Sequence, residues 1–320
     1  MESLWQTLID HEPLVLFLSA LILERTLPIP AHLHPFVALR HMALLLAKRV
    51  HPSLQRARSQ QRISGLLALL LMLLLWFCVP ALLYALAELK RWFGAIILWL
   101  CLFSQPWLTT ATHIQQAVLR KQKQLARSRV QFWLNRECMQ LSSLGIEKAA
   151  SEHTALRLTQ AWWGVLFWFV VAGPLAALAY RLVYELRYAW PAEYTHWRDF
   201  GAAGFGLFTL VNGLPHALLR MILQLIAKPL RTRSTHTAVP IWSNPFSPHQ
   251  NMQLFALLTQ VFPLALGSPV KYQGKRYPRT RFSHPNAPVQ GLIQQSIRHL
   301  AYLQCLLFCV VLPAFVLLRY

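Results

Sequence analysis

The sequence predicts an all-α, polytopic integral membrane protein, and three observations predict it. First, 55% of its 320 residues are hydrophobic and only 13% are charged, which is more apolar than a soluble core requires. Second, the apolar residues gather in runs near the ~20 residues that a helix needs to cross ~30 Å of hydrocarbon. Third, the net charge is +20, and most of the cations lie between the apolar runs. Such a composition excludes a disordered chain, and its five cysteines do not make a disulfide scaffold.

The apolar runs predict six membrane segments within one domain that covers residues 1–320. In chain order these segments are 14–29, 63–86, 92–108, 162–183, 202–227 and 300–318. The first contains Glu24 and Arg25, and the fifth is interrupted by Asn212 and Pro215. The first is therefore either a short span or a re-entrant segment. The fifth either crosses the membrane or lies amphipathic against the helix bundle.

The charges predict the orientation of these segments. Three long stretches, 40–62, 111–160 and 228–298, are rich in Lys and Arg and hold few acids. The positive-inside rule places all three in the cytoplasm and the N-terminus outside. With six membrane segments, the chain crosses the membrane in an order that satisfies this placement. We therefore expect a multi-pass protein of the bacterial inner membrane. Topology signals and attraction to anionic lipids account for the charge, so we expect the bilayer as a partner and no nucleic acid.

The two longest basic stretches are predicted to hold structure of their own. A helix is expected over 114–130, followed by a turn at Ser143–Gly145 and a second helix from about Ile146 to the span at Trp162. The stretch 228–298 combines one apolar helix with loops rich in Pro, Ser and His. No phosphate-binding P-loop, dinucleotide fingerprint, nucleophile elbow or zinc-protease motif is present in the sequence.

Seven short motifs stand in a fixed order along most of the chain. They are His34-Pro35 with Arg40; Arg127–Trp133 with Asn135–Cys138; Ile146–Thr159 with Glu152; Gly173-Pro174-Leu175 with Ala179–Arg181; Asn212 to Pro215; Ser243-Asn244-Pro245; and Leu266–Pro269 with Tyr272 and Gly274. In order and spacing, these motifs resemble those of the CobD/CbiB membrane family, the adenosylcobinamide-phosphate synthases of cobalamin biosynthesis. The closing Gly-x-Pro…Tyr-x-Gly loop is the most specific of them.

The resemblance implies an ATP- and Mg-dependent amide synthesis at the cytoplasmic face, between adenosylcobyric acid and aminopropanol or its phosphate. A corrinoid is then the substrate, and other proteins of the cobamide pathway are expected partners. Glu137 and Glu152 are implied as catalytic residues and Mg ligands. Substrate or phosphate contacts are implied for His34, Arg40, Arg136, Asn212, Ser243, Asn244, Gly267, Tyr272 and Gly274. The adjacent Lys275 joins this set, because a glycine-containing loop beside cations suits an anion.

Each of these assignments has a purely structural alternative. Arg136 and Glu137 form either a phosphate and metal pair or a helix-terminal salt bridge. Glu152 is either catalytic or the partner of an exposed Lys148 one helical turn away. Asn212 and Pro215 line a cavity or kink a helix, and the loop 266–274 is an anion site or a surface turn.

The sequence departs from the family pattern in its acidic residues. After Glu152, Arg157, Leu158 and Ala161 stand where the family carries Glu, Asn and Asp. This loss favours a second hypothesis, a non-catalytic inner-membrane sensor or regulatory protein of the AmpE type, which Glu24-Arg25 and Leu166–Trp168 also resemble. A transporter ranks third, since no inverted repeat is visible. The CobD/CbiB-like enzyme is the first hypothesis, with catalysis either retained or lost.

Overall fold

The computed structural model describes residues 12–27, 29–51, 56–102, 105–134, 136–230, 235–237, 249–288 and 290–319. Helices form most of this part of the chain. The α-helices are α1 Glu12–Thr26, α2 Pro35–Val50, α3 Arg58–Leu86, α4 Lys90–Leu102, α5 Gln105–Leu119, α6 Lys123–Trp133, α7 Ser143–Leu156, α8 Trp163–Ala172, α9 Pro174–Ala189, α10 Ala202–Leu230, α11 His249–Val261 and α12 Leu292–Arg319. A π-helical turn, Arg157–Trp162, joins α7 to α8.

Five short strands accompany the helices. They are β1 Thr235–Thr237, β2 Ala265–Leu266, β3 Val270–Tyr272, β4 Lys275–Tyr277 and β5 Arg281–Ser283. Strands β1, β5 and β2 form an antiparallel sheet in that order, and β3 pairs with β4 as a hairpin.

Five stretches of the described chain are long and apolar enough to cross a membrane. Their bounds are Arg58–Leu86, Lys90–Leu119, Ser143–Ala172, Ala202–Lys228 and Leu292–Leu317. The predicted all-α, polytopic fold is thereby confirmed. Helix α1 has 15 residues, which at 1.5 Å per residue gives about 22 Å and falls short of the ~30 Å hydrocarbon core. A sixth span at 14–29 therefore stays a prediction.

Gly173 divides the segment that was predicted as one span over 162–183. Its φ of 88° and ψ of −173° lie in a region that glycine alone adopts readily. Pro174 follows as the first residue of α9, and a proline disfavours helical backbone in the residue before it. The long apolar helix of this region instead runs from Ser143 to Ala172, so the apolar run 162–183 belongs to two helices.

The chain divides into two compact units. The first comprises 1–105, 160–215 and 306–320, and the second comprises 106–159 and 216–305. In the first unit α9 packs against α4 and α8, and the Phe17 ring stacks on that of Phe315 with centroids 4.6 Å apart.

The second unit has a core of small apolar residues. Ala111, Ile114, Ala126, Val130, Ile146, Ala149, Ala150 and Ile293 are all buried there. Alanines at helix contacts let the backbones approach closely, and this fixes α5, α6 and α7 against one another. Ser142 caps α7, because its Oγ accepts a hydrogen bond from Gly145 N at 3.1 Å. The helix consequently begins at Ser143, where the sequence had predicted a turn and a helix start at Ile146.

Candidate anion-binding site

Glu152 of α7, in the second unit, carries a buried carboxylate that is shared by two arginines. Its Oε2 accepts hydrogen bonds from Arg136 Nη1 at 3.0 Å and from Arg279 Nη2 at 2.6 Å. Its Oε1 accepts a third from Ser268 Oγ at 3.0 Å. The side chain is only 3% exposed, so the alternative of an exposed ion pair with Lys148 is wrong. The two guanidinium groups leave this cluster with one net positive charge.

Arg279 connects this carboxylate to the loop that carries Ser268. Its Nε donates to Ser268 O at 2.8 Å while its Nη2 binds Glu152, so one planar fork satisfies two acceptors. Arg136 remains a cation in this environment. Burial is the largest single effect and acts to lower the pKa of its guanidinium, but the adjacent Glu152 carboxylate, together with Cys138 and Tyr272, outweighs burial and the pKa is raised.

Glu137 holds the turn of the β3–β4 hairpin. Its backbone N–H donates to Lys271 O at 2.9 Å, and its Oε1 accepts from Gly274 N at 2.6 Å. Its Oε2 lies 3.5 Å from Lys271 Nζ. Arg136 and Glu137 thus have different ionic partners, Glu152 for the first and Lys271 for the second, so they do not form the helix-terminal salt bridge that the sequence left open.

The hairpin presents two cations on one face. Gln273 and Gly274 have φ of 48° and 77°, the left-handed pair that a two-residue turn of type I′ requires. This turn sets Lys271 directly opposite Arg276. Like charges opposite each other across two strands destabilise a hairpin, so an anion bound between them would relieve a local cost.

A cavity of about 810 Å³ opens beside this hairpin. Its volume falls within the range of small-molecule sites. Five cations line it against one acid, with polar groups between them; the charged residues are Arg136, Lys148, Lys271, Arg276, Arg281 and Glu137, and the polar ones are Gln131, Gln140, Ser142 and Ser268. With this charge balance, the cavity suits an anion.

Several residues of the predicted site adjoin this cavity without lining it. Gly267 makes a tight turn with φ of 78°, and a Cβ there would lie 2.1 Å from Thr280 O. Gly274 N–H is used by Glu137. Tyr272 and Lys275 are register partners and alternate with the cavity-lining Lys271 and Arg276, so they belong to the opposite face of the hairpin.

Other lining residues escaped the sequence reasoning. The sequence indicates Lys148 only as a partner for Glu152, and it has no motif that marks Arg281 or Ser142 as site residues. Spacing gave a signal for Lys148 alone, which shares a helix with Glu152. Ser142 reaches the cavity as the N-cap of that same helix, whereas Arg281 reaches it through contacts between segments that lie far apart in sequence.

Three predicted site residues belong to the first unit, whereas the Glu152 cluster belongs to the second. His34 Nδ1 accepts from Phe36 N at 3.3 Å and caps α2. Arg40 Nη2 donates to Glu185 Oε2 at 2.6 Å, and Asn212 Oδ1 lies 2.9 Å from the Tyr180 hydroxyl. The predicted residues Ser243 and Asn244 lie outside the described residues.

Glu185 is the centre of a second buried ionic cluster that the sequence did not identify. Arg181 Nη2 donates to Glu185 Oε1 at 2.7 Å, one helical turn away on α9, and Arg40 binds the other oxygen. The Arg181 guanidinium also lies 5.2 Å from the Phe36 ring centroid. The i, i+4 spacing of Arg181 and Glu185 could have revealed the pair.

The second unit's donor set does not fit a protein-bound Mg²⁺ centre on Glu137 and Glu152. Mg²⁺ demands oxygen ligands in near-octahedral geometry. Both Glu152 oxygens already accept hydrogen bonds, and two guanidinium groups adjoin them. No group of three or more His, Cys, Asp or Glu side chains that could hold a metal ion occurs among the residues the structure describes.

Comparison with known proteins gives a consistent result. The family model described as CobD/Cbib protein matches residues 17–300. The chain is 28% identical over 284 residues to a cobalamin biosynthesis protein CobD of Stutzerimonas stutzeri, covering 88% of this chain and 90% of that protein. It is 25% identical over 282 residues to the Chromobacterium violaceum protein of the same name, with 87% and 89% covered. It is 26% identical over 319 residues to that of Pelobacter propionicus, with 95% of each covered. No solved structure matches the chain significantly.

Proposed function

Because the chain belongs to the CobD/CbiB family, whose similar members are cobalamin biosynthesis proteins, we propose that it forms the amide bond between adenosylcobyric acid and aminopropanol or its phosphate. The corrinoid carboxylate is the acceptor of a phosphoryl group from ATP, and the amine is the nucleophile. The cationic cavity of the second unit is the site that binds the phosphate groups of these substrates.

The reaction requires stabilisation of phosphate charge twice. Transfer of the γ-phosphoryl group from ATP to the carboxylate yields an acyl phosphate and ADP. The amine then attacks the acyl carbon, the amide C–N bond forms, and phosphate leaves as the nitrogen loses a proton. Side-chain cations and N–H donors aimed at phosphate oxygens lower the barrier to both steps.

The observation that carries this proposal is the pair of facing cations, Lys271 and Arg276, at the wall of the cavity. The hairpin register places these two residues opposite each other on the same face. Arg136 adds a third cation whose position is fixed by a buried ion pair. Such a convergence matches a phosphate dianion better than it matches a membrane surface.

Magnesium enters this proposal as part of the substrate MgATP. We infer that the Glu137 and Glu152 carboxylates do not form a centre for it, because both already accept hydrogen bonds from the protein. We therefore assign no step to a protein-bound metal, and the chain's own residues bind and orient the phosphates.

Growth complementation tests this function in the cell. A bacterial strain that lacks its own synthase and depends on cobamide should regain growth on cobyric acid when it expresses this chain. The double variant K271Q/R276Q should restore growth poorly, whereas K123Q, an exposed lysine outside the cavity, should restore it fully. Absence of growth with the wild-type chain, despite normal membrane expression, would contradict the proposal.

A further inference from the structure

We propose that Glu152 is a positioning residue that fixes Arg136 at the cavity wall, so that the site binds phosphate through side-chain cations and without a protein-bound metal. This inference rests on the proposed function only in taking a phosphate group as the ligand of the cavity. It gives Glu152 a role other than that of metal ligand.

The hydrogen bonds of Glu152 argue for this role. Oε2 accepts from two guanidinium groups and Oε1 from the Ser268 hydroxyl. A carboxylate this fully occupied has little capacity left for a divalent cation, which the two adjacent arginines would also repel. The same geometry is well suited to hold an arginine in one orientation, because charge-assisted hydrogen bonds are short and directional.

Arg136 is the residue that the Glu152 carboxylate holds in place. It lies in the segment between α6 and α7, where regular helix geometry does not set its direction. Its bond to Glu152 uses one of the five N–H donors of a guanidinium, and the residue also lines the cavity. Without the carboxylate, this long side chain would regain rotamer freedom and lose its orientation toward the ligand.

Ser268 and Arg279 extend the same control to the loop beyond β2. Ser268 lines the cavity and donates to Glu152. Arg279 donates both to Glu152 and to the Ser268 carbonyl. One buried carboxylate on α7 thus joins two segments distant in sequence, Arg136 before α7 and the loop beyond β2, and both contribute to the site.

A purely structural role explains this arrangement less well. Two buried arginines around one carboxylate give little net stability, because the desolvation of the charges offsets their attraction. Apolar side chains of similar volume would pack as well. Because Arg136 of this cluster lines the cationic cavity, we expect the buried carboxylate to orient Arg136 toward the ligand.

The test separates the two roles with a matched pair of variants. R279Q keeps the Glu152–Arg136 bond. E152Q/R279Q removes the carboxylate as well and restores the net charge of the wild-type cluster, since it takes away one cation and one anion. Both variants contain the same Arg279 change, so a difference between them reports on Glu152.

The measurement is the affinity of the full-length protein in lipid nanodiscs for inorganic pyrophosphate, by isothermal titration with EDTA and again with Mg²⁺. We expect the wild type to bind in EDTA, R279Q to bind more weakly because Arg279 also holds the Ser268 loop, and E152Q/R279Q to bind about tenfold or more weakly than R279Q, the effect of one further lost charge-assisted contact. Equal affinity of R279Q and E152Q/R279Q would overturn the positioning role. Pyrophosphate binding by the wild type only with Mg²⁺ would overturn the metal-free recognition, whatever the variants do.

These results are distinguishable from those for the proposed function. A wild-type chain that binds pyrophosphate in EDTA but fails to complement growth would leave the role of Glu152 intact and remove the amide synthesis. Variants that unfold are recognised by their melting temperatures in the same nanodiscs, and the metal dependence of the wild type then decides the question.

Discussion

Lys271 and Arg276 are direct register partners across the β3–β4 hairpin, and both line the same cavity. Two like charges in this position lower the stability of the hairpin. The turn of the hairpin is held by Glu137, which is the only acid among the residues that line the cavity. The arrangement gives up local stability to place cations on one face, and this is the physical basis of the proposed anion site.

Reversing one of these charges is expected to separate stability from binding. The variant R276E creates a cross-strand ion pair with Lys271, so we expect the free energy of unfolding to rise by about 0.5 kcal/mol. The same change places a second acid in the cavity, and pyrophosphate affinity should fall by about tenfold or more. Thermal unfolding measures the change in stability and titration measures the change in pyrophosphate affinity on the same preparation, with K123E as the control. A variant that is less stable and binds as well as wild type would contradict the expectation.

Salt should weaken binding to the cavity. Four of the five cations that line it are partly or fully exposed, all but the buried Arg136, and at 0.15 M ionic strength the screening length is only about 8 Å. We expect the dissociation constant for pyrophosphate to increase several-fold between about 0.05 M and about 0.3 M NaCl. Titrations across that series measure the effect, and an affinity independent of salt would contradict charge-based recognition.

His34 predicts a pH dependence of stability in the first unit. Burial, helped by the positive charge of Arg181, lowers the pKa of His34 to about 4 from its ordinary value of 6.5. The unfolded chain therefore binds more protons at this residue between pH 6.5 and about pH 4. Stability from neutral His34 is fully present above pH 6.5 and is lost as pH falls through that window, by an amount on the order of 3 kcal/mol.

The variant H34N isolates this effect. An asparagine keeps a side-chain acceptor at the N-cap of α2 but does not titrate. We expect its melting temperature to fall less than that of wild type between pH 7 and pH 5. H32N changes an exposed histidine and should keep the wild-type pH dependence. Parallel pH profiles for wild type and H34N would show that His34 is not the titrating group.

Two glycine substitutions should act with opposite signs. G267A places a Cβ 2.1 Å from Thr280 O at a residue with φ of 78°, so we expect a loss of roughly 1–3 kcal/mol in stability and a disturbed cavity. G206A lies in helix α10 with nothing within 4 Å of the new Cβ, and it should stabilise by up to about 1 kcal/mol. Melting temperatures of both variants decide this, and a neutral G267A would contradict the close approach at this loop.

The membrane helices were predictable because length and apolarity alone decide them. The runs that predicted spans at 63–86 and 300–318 lie within α3 and α12. The break at Gly173 was harder to predict, because an apolar run does not show whether it forms one helix or two. The Gly-Pro dipeptide is the local signal of the break, and it is also part of a family motif.

The site was less predictable, because its contacts join residues that are far apart in sequence. Glu152 was identified as a functional candidate, but its burial was not foreseen. Its partner Arg279 lies 127 residues away in sequence, and no local pattern relates the two. The Gly267–Gly274 region was predicted as an anion loop. The structure instead assigns the facing cations to the hairpin register, which depends on turn geometry at Gln273 and Gly274.

The most direct test of the account is a reaction of the purified full-length protein in lipid nanodiscs with adenosylcobyric acid, aminopropanol phosphate and MgATP. Mass spectrometry of the corrinoid measures whether the amide is formed. We predict that the wild type and K123Q form it at similar rates, and that K271Q/R276Q forms it at least about tenfold more slowly. No product from a folded wild-type protein, or equal rates for wild type and K271Q/R276Q, would contradict the assignment of the cationic cavity to amide synthesis.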